Sequence, residues 1–442
     1  MSPGLRTAGA ARGRVLEVEG GRPLRGRVSV PGDKSVSHRA LLLGALATGP
    51  SRLRGLSDGE DVARTAEALR RMGAVVDDGR VGPGPGGLRP PDGPLDMGNS
   101  GTSLRLLAGV VAARPWRTEL VGDDSLSGRP MDRVAVPLRA MGAEVEGRGA
   151  RCLPPVRVRG GALHGIDYTP PMASAQVKSC VLLAGLGAEG ETVVREPVAT
   201  RVHTEELLAR CGADLAVGEE GGCYVVRLRP SALAPFTLHV PGDPSQAAFW
   251  LVAACVVPGS AVTVAGIYTG PGRRGFLDVL RRMGADLAEE PVTGPDDLAA
   301  TADVTARAGE LHGTTVDGDE ITGLDEVPVL AVAAACAAGT TEFRRVGELR
   351  VKESDRLAGV VGLVRAFGAR AEAEGDTLVV HGAGALRAGA LHAGGDHRMA
   401  MAGAVAGLAA PGTTRVAGWE AVATSYPRFT EHLAALTAGG PG

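Results

Sequence analysis

The stretch VPGDKSVSHRALLLGALATGPSRLRGL, residues 30–56, decides the fold, because its pattern recurs along the chain. A short polar head comes first, and an Ala/Leu/Val-rich helical segment, a glycine and a β-branched strand follow it. Five further copies begin near Met97, Pro171, Val240, Leu324 and Gly394. The helical segment of each copy is apolar nearly all round, so we expect it to be buried inside its domain.

A second, amphipathic helix is predicted after each copy, and five of these helices stop at a glycine: Gly73, Gly142, Gly212, Gly284 and Gly368. Glycine at that place is typical of the left-handed residue that ends a helix. Another strand follows four of these helices. The repeat therefore predicts six α/β units, each with strands and two helices, packed around buried helices.

The motif Val-Pro-Gly-Asp occurs at 30–33 and again at 240–243, and it divides the six units into two groups of three. We therefore predict two similar lobes, with residues 30–240 forming the first and residues 241–442 most of the second. Two neighbouring chain crossings at these motifs would form a hinge between the lobes.

The sequence of the N-terminal region does not show which lobe it joins. A strand near Arg14–Val30 could belong to either lobe, and we assign residues 14–29 to the second. Residues 1–13 are rich in Arg, Ala and Gly without a hydrophobic run. They are therefore predicted to be a flexible tail and not a secretory signal.

Composition excludes several classes of protein. A formal charge of −3 over 442 residues argues against a nucleic-acid binder that works by neutralising phosphates. The longest apolar stretches are shorter than a membrane span. The six cysteines form no CxxC pair, which argues against a zinc site or a disulfide scaffold. We expect a cytoplasmic protein, working as a monomer, that binds neither membranes nor nucleic acid and needs no cofactor or metal.

The basic residues are unusual, because only three of the 47 are lysines: Lys34, Lys178 and Lys352. A position that keeps lysine is a candidate for needing a compact ammonium group that a rigid guanidinium cannot replace. Lys34 lies in the first polar head, and Lys352 lies in a charged loop. The residues around Lys178 indicate no role for it.

The polar heads predict anion sites, since free N–H groups and the helix dipole make a helix start attractive to phosphate and carboxylate. Heads in the first half of the chain carry cations, hydroxyls and amides. Heads and loops in the second half add separated carboxylates and further arginines. Together they predict a site that moves protons near a phosphorylated, carboxylated substrate.

Eight segments, in order, closely resemble motifs of the 5-enolpyruvylshikimate-3-phosphate (EPSP) synthase family, the 3-phosphoshikimate 1-carboxyvinyltransferases. They are PGDKSVSHRALLLGALA, GNSGTSLRL, SLSGRPMDR, PMASAQVKS, VPGDPS, LDEVPVLAVAAA, LRVKESDRL and GDHRMAM. Within that family, SAQVK and LDE resemble the second bacterial class. The resemblance implies a two-lobed enolpyruvyl transferase fold with three βαβαββ-type units per lobe and the active site in the cleft between lobes.

The same resemblance implies the reaction and the residues that carry it. The 5-hydroxyl of shikimate 3-phosphate attacks C2 of phosphoenolpyruvate, and phosphate leaves, on the route to chorismate and the aromatic amino acids. The implied ligands of shikimate 3-phosphate are Lys34, Ser35, Arg39, Ser174, Ala175, Gln176, Arg201, Asp325 and Lys352. The implied ligands of phosphoenolpyruvate are Lys34, Gly101, Arg129, Gln176, Arg356 and Arg398. The implied catalytic residues are Lys34, Asp325 as proton acceptor and Glu353 as the acid.

Some positions depart from the enterobacterial class of the family. Thr424 stands where that class has a late lysine, so one phosphate contact is absent. Glu348 occupies the place of an amide, and Gly128 precedes Arg129 where lysine is common.

Three other functions stay open. A UDP-N-acetylglucosamine carboxyvinyltransferase would have Lys-Asn in the first head and a cysteine at position 124, where this chain has Lys34-Ser35 and Asp124. A specialised-metabolism paralogue acting on a related ring would have the same motifs. A non-catalytic phospho-ligand binding protein would have lost Asp325, Glu353 or Lys352, and all three are present.

Overall fold

The computed structural model describes residues 7–8 and 13–439. Its strands are β1 (Thr7–Ala8), β2 (Val15–Gly20), β3 (Arg25–Val28), β4 (Ser51–Arg54), β5 (Val75–Asp77), β6 (Arg80–Gly82), β7 (Leu95–Asp96), β8 (Arg117–Val121), β9 (Glu144–Arg148), β10 (Leu153–Arg159), β11 (Leu163–His164), β12 (Asp167–Tyr168), β13 (Ala188–Glu189), β14 (Thr192–Glu196), β15 (Leu215–Glu220), β16 (Cys223–Leu228), β17 (Thr237–His239), β18 (Ala261–Tyr268), β19 (Asp286–Pro291), β20 (Thr301–Arg307), β21 (Thr315–Asp317), β22 (Thr340–Arg344), β23 (Arg370–Glu374), β24 (Thr377–His381), β25 (Ala390–His392) and β26 (Gly412–Ala417).

The α-helices are α1 (Lys34–Leu46), α2 (Glu60–Arg71), α3 (Gly101–Ala112), α4 (Asp124–Ser127), α5 (Asp132–Ala140), α6 (Ala175–Gly185), α7 (His203–Arg210), α8 (Pro244–Val256), α9 (Gly275–Arg282), α10 (Val327–Cys336), α11 (Arg356–Ala366), α12 (His397–Ala409) and α13 (Phe429–Thr437). Three 3₁₀ helices lie at Gly318–Glu320, Gly347–Val351 and Trp419–Thr424. Along the part of the chain that the structure describes, none of the helices has the length and hydrophobicity that crossing a membrane requires.

Six four-stranded sheets repeat one topology in the described residues. Across the sheets the orders are β17-β4-β6-β5, β7-β8-β10-β9, β12-β14-β16-β15, β3-β18-β20-β19, β21-β22-β24-β23 and β25-β26-β2-β1. In each sheet the first two strands pair in parallel and the later neighbours pair antiparallel. The six α/β units expected from the sequence are therefore present, each with one such sheet.

The chain divides into two compact units. The first domain comprises Gly32–Val240 and Asp296–Leu298, and the second domain comprises the rest of the described chain. Three of the six sheets, those that contain β4, β8 and β14, lie in the first domain, and the other three lie in the second.

The apolar helix of each unit is buried, as its composition predicts. These helices are α1, α3 and α6 in the first domain and α8, α10 and α12 in the second. Helices α3 and α6 pack so closely that a Cβ atom on Gly109 would lie 2.3 Å from the carbonyl oxygen of Cys180. A glycine at position 109 therefore allows α3 and α6 to pack at close distance.

The amphipathic helices α2, α5, α7, α9 and α11 end as the sequence predicts. Each stops two residues before its glycine, and all five glycines have φ between 71° and 105°. Because this left-handed region is costly for other residues, glycine fixes where each helix ends.

The N-terminal segment differs from the single strand expected near Arg14–Val30. It forms two strands, β2 and β3, which join two different sheets of the second domain. Between them Gly21 has a φ of 80°, and Pro23 lacks the N–H group that a continuous strand would use. Of the predicted tail, residues 1–6 and 9–12 lie outside the described residues, and β1 pairs with β2.

Candidate active site

In the first domain, helix α1 begins with the first polar head. Asp33 caps it by accepting a hydrogen bond from the backbone N–H of Val36 at 2.8 Å. Lys34 Nζ forms an ion pair with Asp61 Oδ2 at 2.8 Å, and the Lys34 side chain keeps 22% of its surface exposed. The ammonium group is therefore partly exposed, and the Asp61 carboxylate helps to orient it.

His38 belongs to the same head but is fully buried. Its Nδ1 lies 2.8 Å from Thr65 Oγ1. The pKa of His38 is lowered to about 3: burial is the main cause, the nearby cations Lys34 and Arg39 also lower the pKa, and Asp61 opposes them. The imidazole is therefore neutral at physiological pH and does not exchange protons there.

Arg39 is buried in the first domain, with only 2% of its surface exposed. Nε donates to Thr204 Oγ1 at 2.7 Å, and Nη2 donates to Ser179 Oγ at 2.6 Å. Nη1 donates to the carbonyl oxygen of Ser35 at 2.8 Å, and Nη2 reaches that of Ala175 at 3.4 Å. Arg39 thus joins the first head to the third head and to the start of α7.

Arg201 reaches the same place from the loop before α7. Its Nη1 donates to Ser35 Oγ at 3.1 Å. Ser174 caps α6 by accepting from the backbone N–H of Val177 at 3.4 Å. The predicted shikimate 3-phosphate residues of the first domain therefore lie together around the starts of α1 and α6.

The second head, at the start of α3, is tied to Arg129. Arg129 Nη2 donates to Asn99 Oδ1 at 2.5 Å and to Ser125 Oγ at 3.2 Å. A Cβ atom on Gly101 would lie 3.6 Å from Arg129 Nη1. The bare backbone at Gly101 therefore lies directly beside this guanidinium group.

Gln176 is oriented by Arg105, a residue to which sequence reasoning assigned no role. Arg105 Nη1 donates to Gln176 Oε1 at 2.6 Å, and Gln176 Nε2 donates to Thr102 Oγ1 at 2.9 Å. Both ends of the amide are thus bonded. Arg105 lies within the quoted GNSGTSLRL motif, but no pattern in the sequence links it to a residue 71 positions away.

In the second domain, Asp325 lies before α10 between two arginines. Its Oδ1 is 3.3 Å from Arg356 Nη1 and 3.4 Å from Arg398 Nε. Arg398 Nη1 also donates to the backbone carbonyl oxygen of Asp325 at 3.3 Å. The Asp325 side chain keeps 20% of its surface exposed. The carboxylate is therefore held firmly and still accessible.

Arg356 is completely buried and contacts three carboxylates. Nε donates to Asp396 Oδ2 at 2.8 Å, and Nη2 lies 2.5 Å from Glu353 Oε2, in addition to the Asp325 contact. Burial by itself would lower the pKa of Arg356, but Glu353, Asp396 and Asp325 together raise it above its usual value. This guanidinium therefore stays charged and holds Asp325 and Glu353 from its two Nη atoms.

Asp396 holds Arg356 and the start of α12 in place, and the sequence analysis assigned it no role. It caps α12, accepting from the backbone N–H of Arg398 at 2.9 Å, and it also accepts from Ser354 Oγ at 2.9 Å. Burial favours a raised pKa for Asp396, but Arg356 outweighs it and holds the pKa below the usual range. An aspartate before an apolar helix is a recognisable cap, and that signal could have marked it.

Lys352 lies at the edge of this cluster. Its Nζ is 3.5 Å from Glu348 Oε1, and 20% of its side chain is exposed. The structure thus brings Asp325, Glu353, Arg356 and Arg398 together in the second domain, with Lys352 next to Glu353 in sequence.

Comparisons with known proteins identify the family. The family model for EPSP synthase (3-phosphoshikimate 1-carboxyvinyltransferase) matches residues 18–433. The 3-phosphoshikimate 1-carboxyvinyltransferase of Sphingopyxis alaskensis is 49% identical over 94% of this chain and 96% of that protein. The enzyme of the same name from Herpetosiphon aurantiacus is 46% identical over 93% of this chain and 97% of that protein.

Solved structures agree with these sequence matches. The EPSP synthase of Acinetobacter baumannii superposes with a TM-score of 0.84 at 40% identity, covering 96% of this chain and 98% of that one. The enolpyruvyl transferase NikO of Streptomyces tendae, at 21% identity and a TM-score of 0.75, has the same fold. The predicted family, fold class and enzyme class, a transferase, are confirmed, and the chain belongs to the EPSP synthase (3-phosphoshikimate 1-carboxyvinyltransferase) family.

Proposed function

We propose that the chain transfers the carboxyvinyl group of phosphoenolpyruvate to the 5-hydroxyl of shikimate 3-phosphate and releases phosphate, with residues of both domains acting on one pair of substrates. The observation that carries the proposal is Arg356, which holds the proposed base Asp325 and the proposed acid Glu353 on one buried guanidinium. Membership of the family supports the choice of substrates.

The first domain supplies most of the anion binding. Lys34, Ser35, Arg39 and Arg201 lie around the start of α1, and we assign them to shikimate 3-phosphate together with Ser174, Ala175 and Gln176. Because Arg39 is buried among hydroxyl and carbonyl groups, it also fixes the two helix starts that present these donors. Helix starts and fixed cations favour phosphate and carboxylate.

Phosphoenolpyruvate binding is assigned to Gly101 and Arg129 beside the start of α3, with Lys34 and Gln176, and to Arg356 and Arg398 in the second domain. Lys34 has a flexible stem and a compact charge that can serve both substrates. The arginines carry fixed donor forks that suit a carboxylate and a departing phosphate. Asp325 and Lys352 complete the shikimate 3-phosphate set at the ring hydroxyls.

The proton transfers follow from this placement. Asp325 takes the proton of the 5-hydroxyl while the hydroxyl oxygen bonds to C2 of phosphoenolpyruvate. Glu353 gives a proton to the methylene carbon C3, so C2 gains the positive character that the attack requires. The tetrahedral intermediate then loses phosphate, which takes up the proton held by Asp325. C3 returns its proton to Glu353, so the double bond forms again and both carboxyl groups are restored. Each transfer by a positioned group contributes about 10²–10⁴ in rate.

We also propose that the enzyme works as a monomer in the cytoplasm. All assigned residues come from a single chain, so no partner subunit has to complete the site. Free thiols at all six cysteines fit a reducing compartment.

The test is phosphate release by the purified protein in three mixtures: phosphoenolpyruvate alone, with shikimate 3-phosphate, and with UDP-N-acetylglucosamine. We expect release only with shikimate 3-phosphate, together with an equal amount of enolpyruvyl product. Release only with the nucleotide sugar, or no release in any mixture, would refute the proposed substrate.

A further inference from the structure

Lys178 is a buried lysine outside the proposed substrate contacts. It lies on α6 with no exposed surface, and its Nζ is 2.7 Å from Glu196 Oε2 and 2.7 Å from Glu205 Oε1. The ring of Tyr224 covers the ammonium, with its centroid 5.1 Å from Nζ. We call these four residues the Lys178 cluster.

The cluster joins three elements at their functional ends. Glu196 ends β14, Glu205 lies in the first turn of α7, and Lys178 lies in the first turn of α6. A buried ammonium shared by two carboxylates is costly to disturb, because removing one partner leaves uncompensated buried charge. The relative positions of these three ends therefore depend on one side chain.

Two residues of the cluster, Lys178 and Glu205, are next in sequence to residues that bond Arg39. Ser179 follows Lys178 and accepts from Arg39 Nη2 at 2.6 Å. Thr204 precedes Glu205 and accepts from Arg39 Nε at 2.7 Å. Two of the bonds that orient Arg39 thus come from neighbours of cluster residues.

Glu196, the third charged residue of the cluster, bonds the residue before Arg201. Glu196 Oε1 accepts from Thr200 Oγ1 at 2.5 Å, and Glu196 Oε2 accepts from the Thr200 backbone N–H at 3.3 Å. Thr200 is buried and directly precedes Arg201, whose Nη1 bonds Ser35 Oγ. Glu196 therefore fixes the turn that presents Arg201.

From these contacts we infer that Lys178 is a positioning residue for shikimate 3-phosphate: it sets where Arg39 and Arg201 stand without touching the substrate. The inference rests on the proposed function. The Gln176 amide is oriented from outside the cluster, by Arg105 and Thr102, and Gly101 and Arg129 lie at the start of α3. The phosphoenolpyruvate contacts of the first domain therefore have supports that the cluster does not provide. The expected signature is a selective loss of affinity for one substrate.

The experiment compares steady-state kinetics and calorimetric binding of shikimate 3-phosphate for wild type, Lys178→Met and Thr200→Val. We expect Lys178→Met to raise the KM and Kd for shikimate 3-phosphate about ten- to hundredfold, the worth of one hydrogen bond to a charged group. The KM for phosphoenolpyruvate should stay within about threefold, less than the loss of one such bond would cause. Thr200→Val removes the hydroxyl bond to Glu196 but keeps the backbone bond and the rest of the cluster, so it should raise the shikimate 3-phosphate KM by a smaller factor.

Two further variants separate positioning from general destabilisation. Leu138→Ala removes buried apolar volume from α5, a helix that carries no residue of the cluster and none assigned to a substrate. It should lower stability while leaving both KM values unchanged. The double variant Lys178→Met/Glu205→Gln restores the net charge of the cluster and should recover part of the lost affinity.

Wild-type KM values in folded Lys178→Met, or in Thr200→Val if Lys178→Met does not fold, would overturn the inference. Equal changes in both KM values would also overturn it. If wild type releases phosphate and the variants bind normally, only this inference fails. If wild type neither releases phosphate nor binds shikimate 3-phosphate, the proposed function fails and the inference fails with it.

Discussion

Replacing Asp325 by asparagine separates proton transfer from charge pairing in the second domain. Asparagine keeps an oxygen where Asp325 Oδ1 now meets Arg356 and Arg398 at 3.3 and 3.4 Å. It cannot accept the proton of the 5-hydroxyl. The expected fall in kcat is about 10²–10⁴, which corresponds to about 2.7–5.4 kcal/mol of lost transition-state stabilisation.

The same substitution should not weaken phosphoenolpyruvate binding. Removing a carboxylate that neutralises two arginines leaves more positive charge for an anionic substrate, so its KM should stay equal or fall. Arg356 retains Asp396 and Glu353 as partners. The free energy of unfolding should therefore fall by only about 1.5–3 kcal/mol, the worth of a hydrogen bond to a charged group.

The assay is initial-rate phosphate release with each substrate varied in turn, together with urea unfolding. Asp355→Asn is the matched control, because Asp355 is exposed and caps α11 through Ala358, a cap that asparagine also provides. A kcat for Asp325→Asn within tenfold of wild type would show that Asp325 is not the base. A raised phosphoenolpyruvate KM at unchanged kcat would make it a binding residue instead.

Three further outcomes are expected. Lys34→Met should lower kcat at least about 10²-fold, since the ammonium held by Asp61 would be lost from the proposed site of both substrates; turnover near wild type would contradict this. Gly101→Ala should raise the phosphoenolpyruvate KM severalfold, because its Cβ atom would lie 3.2 Å from Arg105 Nη1, which orients Gln176, and would cover the backbone beside Arg129; an unchanged KM would place the substrate elsewhere. His38 has a folded pKa of about 3, whereas the unfolded chain binds that proton below about pH 6.5. Stability should therefore fall by about 1.4 kcal/mol per unit as the pH drops from 6.5 to 4. Urea titrations at several pH values should show this slope in wild type, and a slope in His38→Gln as steep as in wild type would contradict it.

The six-fold repeat could be predicted because short stretches of sequence mark the helices and strands of each unit. An apolar helix, a glycine after the amphipathic helix and a β-branched strand are all short-range signals. The choice of which strand completes which sheet is not local. β17 pairs with β4, and β2 pairs with β26, nearly 400 positions away. Periodicity alone cannot assign such partners.

In the candidate site, too, short motifs reveal some residues and only the folded chain reveals the others. Lys34, Asp325 and Arg398 could be identified because they lie in the short motifs of the polar heads. The groups that orient them, such as Asp61, are brought close only by packing, and the Lys178 cluster likewise joins residues 18 and 27 positions apart. A lone lysine in an apolar helix indicates that something unusual is buried there, but not which carboxylates surround it.

A crystal structure with shikimate 3-phosphate bound tests the central claim most directly. One ligand molecule should contact Lys34 and Arg201 of the first domain and Asp325 and Lys352 of the second, with its 5-hydroxyl within hydrogen-bond distance of Asp325. A ligand bound entirely within one domain, with Asp325 and Lys352 facing solvent, would contradict the account.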